Sequence, residues 1–74
     1  MKNIVITGGS SGVGFAIAKD LSRDNKVIII GRDETKLVSS VAHLGPNVSS
    51  ISADLSKRVG IDKAVEKINA TFSS

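Results

Sequence analysis

At 74 residues the chain holds one domain at most, residues 1–74, since common domains run to about 100–150 residues. With no cysteine it has neither disulfides nor thiolate metal ligands, which suits a reducing cytoplasm. Ten Lys/Arg against seven Asp/Glu give a net charge of +3, but the cations are scattered and no Tyr or Trp is present to stack on bases. No nucleic-acid partner is expected from such a pattern. No apolar stretch approaches the ~20 residues of a membrane span, and the opening run is too short for a secretory signal. A soluble cytoplasmic protein without a membrane partner is the expectation.

Apolar runs of strand length alternate with stretches of helical period. Ile4-Val5-Ile6 is a short β-branched run, read as a strand buried on both faces. From Gly12 to about Arg23 a helix is predicted, with Val13, Ile17 and Leu21 as its apolar face and Phe15 on the polar side. Asp24-Asn25 breaks it, and Val27-Ile28-Ile29-Ile30 is a second strand. Asp33 is placed to cap the next helix, whose Leu37, Val41 and Leu44 recur before Gly45-Pro46 ends it. A weaker third strand runs from Val48 to Ala53. Ser56 is the expected cap of a last helix with Ile61, Val65, Ile68 and Phe72 on its apolar face. Strand and helix thus alternate three times, which predicts an α/β fold: a three-stranded parallel sheet in the order 3-2-1 with flanking helices and right-handed crossovers.

The first strand and first helix are joined by Thr7-Gly8-Gly9-Ser10-Ser11-Gly12-Val13-Gly14. Gly8 permits a tight exit from the strand, Gly12 leaves room for a pyrophosphate, and Gly14 allows close packing of helix on sheet. Amides at the helix start and the positive end of its dipole favour an anion, to which Ser10 and Ser11 add hydroxyl donors. A triphosphate-binding P-loop is excluded because Phe15-Ala16, not Lys-Ser/Thr, follow the second glycine of that spacing. At the end of the second strand the position of an NAD-selecting carboxylate is held by Gly31, and Arg32 follows. An arginine there can grip a 2′-phosphate, so NADP is the expected cofactor, with NAD the second choice through Asp33 and a ribose hydroxyl.

The pattern T-G-x-x-x-G-x-G, set between a predicted strand and helix near the N-terminus, resembles the cofactor signature of the short-chain dehydrogenase/reductase family. The fold is then a βαβαβα half of a Rossmann sheet. The resemblance implies that Gly8, Ser10, Ser11, Gly12, Val13 and Gly14 form the pyrophosphate turn. It likewise implies that Arg32 selects NADP, and that Asp54 and Leu55 hold the adenine ring by its amine and its face. In the family an Asn-Asn-Ala-Gly strand, a serine and a Tyr-x-x-x-Lys pair follow later in the chain. This sequence has no tyrosine, so no catalytic residue is assigned and the chain is expected to be inactive alone, an oxidoreductase segment cut before its catalytic residues. No metal site is assigned either. His43, the only histidine, reads as a helix-end group, and Lys63 and Lys67 as solvated charge.

Without a fourth strand the edge of the first strand would be bare, and such an edge invites pairing with another chain. Phe15 and Phe72 are expected to add exposed apolar surface, and a homo-oligomer covering the first strand is predicted. The alternative reading is a non-enzymatic oligomerising module built on a relic Rossmann half.

Overall fold

A computed structural model describes residues 2–8 and 12–73. Three strands, β1 (Asn3–Thr7), β2 (Lys26–Gly31) and β3 (Val48–Ser52), alternate with three helices, α1 (Gly12–Leu21), α2 (Glu34–Leu44) and α3 (Arg58–Phe72). The sheet order is β1-β2-β3, with both pairings parallel. Val5 lies beside Ile28, and Ile30 beside Ile51.

The central strand decides the layering. Val27, Ile28, Ile29 and Ile30 are all buried, each stabilising the fold by about 1.5–3 kcal/mol relative to exposure. Their alternation splits the core in two. Val27 and Ile29 pack with Ala18 of α1, Leu37 of α2 and Val48, flanked by Ile4, Ile6 and Leu21. Ile28 and Ile30 pack with Ile51, Ala53 and Ala64 of α3, flanked by Leu55, Ile68 and Phe72. Helices therefore cover both faces of the sheet.

Several expectations change at the edges. β1 is not buried on both faces: Ile4 and Ile6 reach the first core, but Val5, which points to the other face, is 40% exposed. α1 ends at Leu21, where Ser22 turns its hydroxyl onto the Lys19 carbonyl at 3.1 Å. The helix rests on small Ala18 and on Leu21, leaving Val13 76% and Ile17 45% exposed. In α3, Ala64 replaces Ile61 and Val65 at the interface, and only Ile68 and Phe72 of the expected face pack inward. A small residue lets the helix approach the sheet, which tilts the two branched residues out. Phe15 and Phe72 are half-buried rather than exposed.

Asp33 caps α2 as expected, its carboxylate accepting from the Lys36 amide at 3.2 Å. Ser56 does not cap α3. Lys57 stands at that position, with no side-chain hydrogen bond to the helix.

Candidate functional site

Parallel strands put all their carboxyl ends on one side of the sheet, and in open α/β folds ligands bind there. Here those ends border a cleft of about 580 Å³. β1 contributes Thr7 and Gly8, β2 contributes Ile30, Gly31 and Arg32, and β3 leads into Ala53, Asp54, Leu55 and Ser56. Asp33 and Lys36 close the α2 side.

Short hydrogen bonds fasten these turns to one another. The Gly8 amide donates to the Ile30 carbonyl at 2.8 Å, and the Ala53 amide to the Gly31 carbonyl at 2.9 Å. The Ser52 hydroxyl donates to the Arg32 carbonyl at 3.3 Å. Gly8 and Gly12 have φ of 75° and 53°, values that L side chains rarely adopt. A Cβ added at either would meet nothing within 4 Å. Their backbones border open space, as a turn approached by a phosphate group requires.

Of the residues singled out in the sequence, Gly8, Arg32, Asp54 and Leu55 line this one cleft. Gly12, Val13 and Gly14 form the first turn of α1 and do not line it. Ser10 and Ser11 lie outside the described residues.

Asp54 is the most strongly conditioned group. Its Oδ1 accepts from the Ser56 hydroxyl at 2.6 Å and from the Ser56 amide at 3.0 Å. The Ser56 hydroxyl, then its amide, hold the Asp54 carboxyl below the usual aspartate value; partial burial opposes them, and the charges of Arg32 and Lys57 assist. The result is an ionised acceptor in a cleft that two cationic residues, Arg32 and Lys36, also line. Such a cleft can take an anion on one side and a hydrogen-bond donor on the other.

Three contributors are absent from the sequence-based site. Lys36 was hidden inside the α2 pattern, although it stands at i+4 from Arg32. From the sequence, Ser56 is expected only as a helix cap. Gly60, in the first turn of α3, lies so close to Asp54 that an added Cβ would overlap the Asp54 carbonyl oxygen. Nothing in a lone Gly60 signals that approach before the turn geometry is known.

No group of three His, Cys, Asp or Glu among the described residues could hold a metal ion. His43 places Nδ1 2.8 Å from the Ser39 carbonyl, one turn back in α2 and away from the cleft. No helix among the described residues is long and apolar enough to cross a membrane.

Known proteins share the fold and much of the sequence. The family model for short chain dehydrogenase matches residues 2–74. The oxidoreductase asL5 of Sarocladium schorii is 37% identical over 74 residues, covering 99% of this chain and 30% of that protein. A PIGF/3-ketodihydrosphingosine reductase fusion protein of Schizosaccharomyces pombe is 39% identical over 75 residues, covering 90% of this chain and 15% of its own length. Among solved structures, the 3-ketoacyl-(acyl-carrier-protein) reductase from Brucella melitensis complexed with NADH superposes with a TM-score of 0.92 at 32% identity. That match covers 99% of this chain and 30% of that one. The chain thus spans about 30% of the length of the first of these relatives. With strand order, glycine turn and sequence in agreement, the chain belongs to the short-chain dehydrogenase family.

Proposed function

We propose that residues 1–74 form a dinucleotide-binding unit that prefers NADP, the cofactor-holding segment of a short-chain dehydrogenase-type oxidoreductase. The observation that carries the preference is the end of β2. Gly31 offers no carboxylate to a ribose 2′-hydroxyl, and Arg32 lines the cleft directly after it, with Lys36 beside. Asp33, the remaining route to an NAD preference, has its Oδ1 engaged by the Lys36 amide at the start of α2. The Brucella reductase was solved with NADH, which supports a dinucleotide in this type of cleft.

In this reading the Gly8 and Gly12 turns take the pyrophosphate, with Ser10, Ser11, Val13 and Gly14 completing the anion cradle. Arg32 and Lys36 meet the 2′-phosphate. Asp54 accepts from the adenine amine while Leu55 packs on the ring. Bound in this way, a nicotinamide dinucleotide supplies the hydride of oxidoreduction. The chain's own residues bind and orient it but offer no tyrosine for proton transfer, so turnover by the 74 residues alone is not expected. The cysteine-free composition supports work in a reducing compartment, the cytoplasm.

Calorimetric titration with 2′-phospho-ADP-ribose and with ADP-ribose tests the reading. A charge-assisted bond of about 1.5–3 kcal/mol favours the phosphorylated ligand by roughly 10- to 150-fold. Equal affinities would remove the NADP preference.

The position of β1 at the sheet edge and the exposed Val5 side chain support a second feature: a homo-oligomer in which another copy covers β1. The competing oligomerising-module reading shares this feature but requires no ligand. Sedimentation of a well-folded monomer at about 0.1 mM, a chain concentration at which weak association already shows, would contradict the oligomer.

A further inference from the structure

The residue best suited by type to cap α3 is not used as a cap. Serine leads the cap preferences and lysine does not, yet Lys57 occupies the cap position with no side-chain bond to the helix. Ser56, one residue earlier, instead spends both its hydroxyl and its amide on Asp54. Local rules broken in this way tend to mark functional sites.

Both Ser56 bonds fall on the same oxygen, Oδ1. The two together hold the carboxylate plane, since χ2 of an aspartate is otherwise broad and rotation about it would break both bonds. Oδ2 is then the oxygen left to accept from a ligand in the cleft that Asp54, Leu55 and Ser56 line. The backbone behind is held as well: the Asp54 carbonyl accepts from the Lys57 amide at 3.2 Å, and Gly60 lets α3 press against it.

We infer that Ser56 is a positioning residue of the adenine subsite, clamping Asp54 by Oδ1 so that Oδ2 meets the exocyclic amine, at the expense of capping α3. The inference rests on the cofactor reading above and adds a residue to it. Arg32 and Lys57 act on the same carboxylate through their charge alone, so they bias its ionisation without setting its plane. Ser56 does both.

The test pairs two variants with two ligands, using the full 74-residue chain. NADP carries the exocyclic amine, and nicotinamide hypoxanthine dinucleotide phosphate carries an oxo group in its place. Ser56→Ala is expected to weaken NADP binding about five- to tenfold while changing the hypoxanthine ligand by less than about twofold. Ser56→Thr, which keeps the hydroxyl, is expected to restore NADP affinity. A second readout needs no ligand: the carboxyl carbon of Asp54, followed by NMR against pH, should titrate higher in Ser56→Ala and keep its low midpoint in Ser56→Thr.

Equal losses for both ligands would show a merely structural serine and overturn the inference, leaving the cofactor reading intact. An Asp54 midpoint unmoved in Ser56→Ala would overturn it too. If the parent chain binds neither ligand, the cofactor reading fails and takes the inference with it.

Discussion

Replacing Gly60 by alanine separates two effects of opposite sign. On an open helix the change is stabilising by about 1 kcal/mol, because glycine has more backbone freedom to lose. Gly60 is not open. Its added Cβ would overlap the Asp54 carbonyl oxygen and lie 2.7 Å from the Asp54 carbonyl carbon. Both are backbone atoms, so no rotamer change relieves the overlap. Asp54 cannot retreat without loosening its bond from the Lys57 amide at 3.2 Å, and it follows directly on Ala53, which is tied to Gly31 at 2.9 Å. Overpacking costs typically about 1–3 kcal/mol, and a weakened hydrogen bond adds about 0.5–1.5 kcal/mol. Set against the propensity gain, a net loss of about 0.5–3.5 kcal/mol is expected. For a domain of this size that lowers Tm by at least about 2 °C. Thermal and urea denaturation followed by circular dichroism measure it, and dinucleotide affinity should fall as well because Asp54 is displaced. A Gly60→Ala chain that melts at or above the parent would show that the Asp54 backbone gives way to the added methyl without cost.

Arg32→Ala should abolish most of the preference for 2′-phospho-ADP-ribose over ADP-ribose, with any residue of preference resting on Lys36; an unchanged ratio in calorimetry removes Arg32 from the site. Lys57→Ser supplies the missing α3 cap in a backbone already extended at φ −117° and ψ 144°, and should stabilise by about 0.5–2 kcal/mol in urea titrations. Asp54 shapes the acid limb of stability. Its folded-state pKa is depressed by Ser56, Arg32 and Lys57, so its contribution is fully present above the unfolded value near 3.9 and lost as pH falls through the lower folded value. Asp54→Asn should therefore flatten that part of a pH–stability curve, most visibly below about pH 4.

Where side chains repeat with a regular period, the fold was legible beforehand. β2 is legible because four β-branched residues in a row, bounded by Asp24-Asn25 and Gly31, favour a strand covered on both faces, and Val27 to Ile30 are buried accordingly. Asp33 and Gly45 bounded α2 correctly, since a cap and a stop act within one turn of chain. The helix faces of α1 and α3 were less legible. Period alone cannot tell that Ala18 and Ala64, being small, set the line of closest approach and turn Val13, Ile17, Ile61 and Val65 outward. The site divides in the same manner. Gly8, Arg32, Asp54 and Leu55 could be placed at the cleft by their position after a strand. Lys36, Ser56 and Gly60 could not, because their places there depend on how α2 and α3 leave the sheet, a matter of three-dimensional approach that spacing does not encode.

The carboxyl ends of β1, β2 and β3 border one cleft, and amide NMR shifts recorded while 2′-phospho-ADP-ribose is added test most directly whether it takes a dinucleotide. Saturable shifts are expected, concentrated at Gly8, Gly12, Val13, Arg32, Lys36 and the run from Asp54 to Ser56. Spectra unchanged at millimolar ligand, or shifts gathered on the exposed flank around Ile17 and Val38 with Arg32 and Asp54 silent, would contradict dinucleotide binding there.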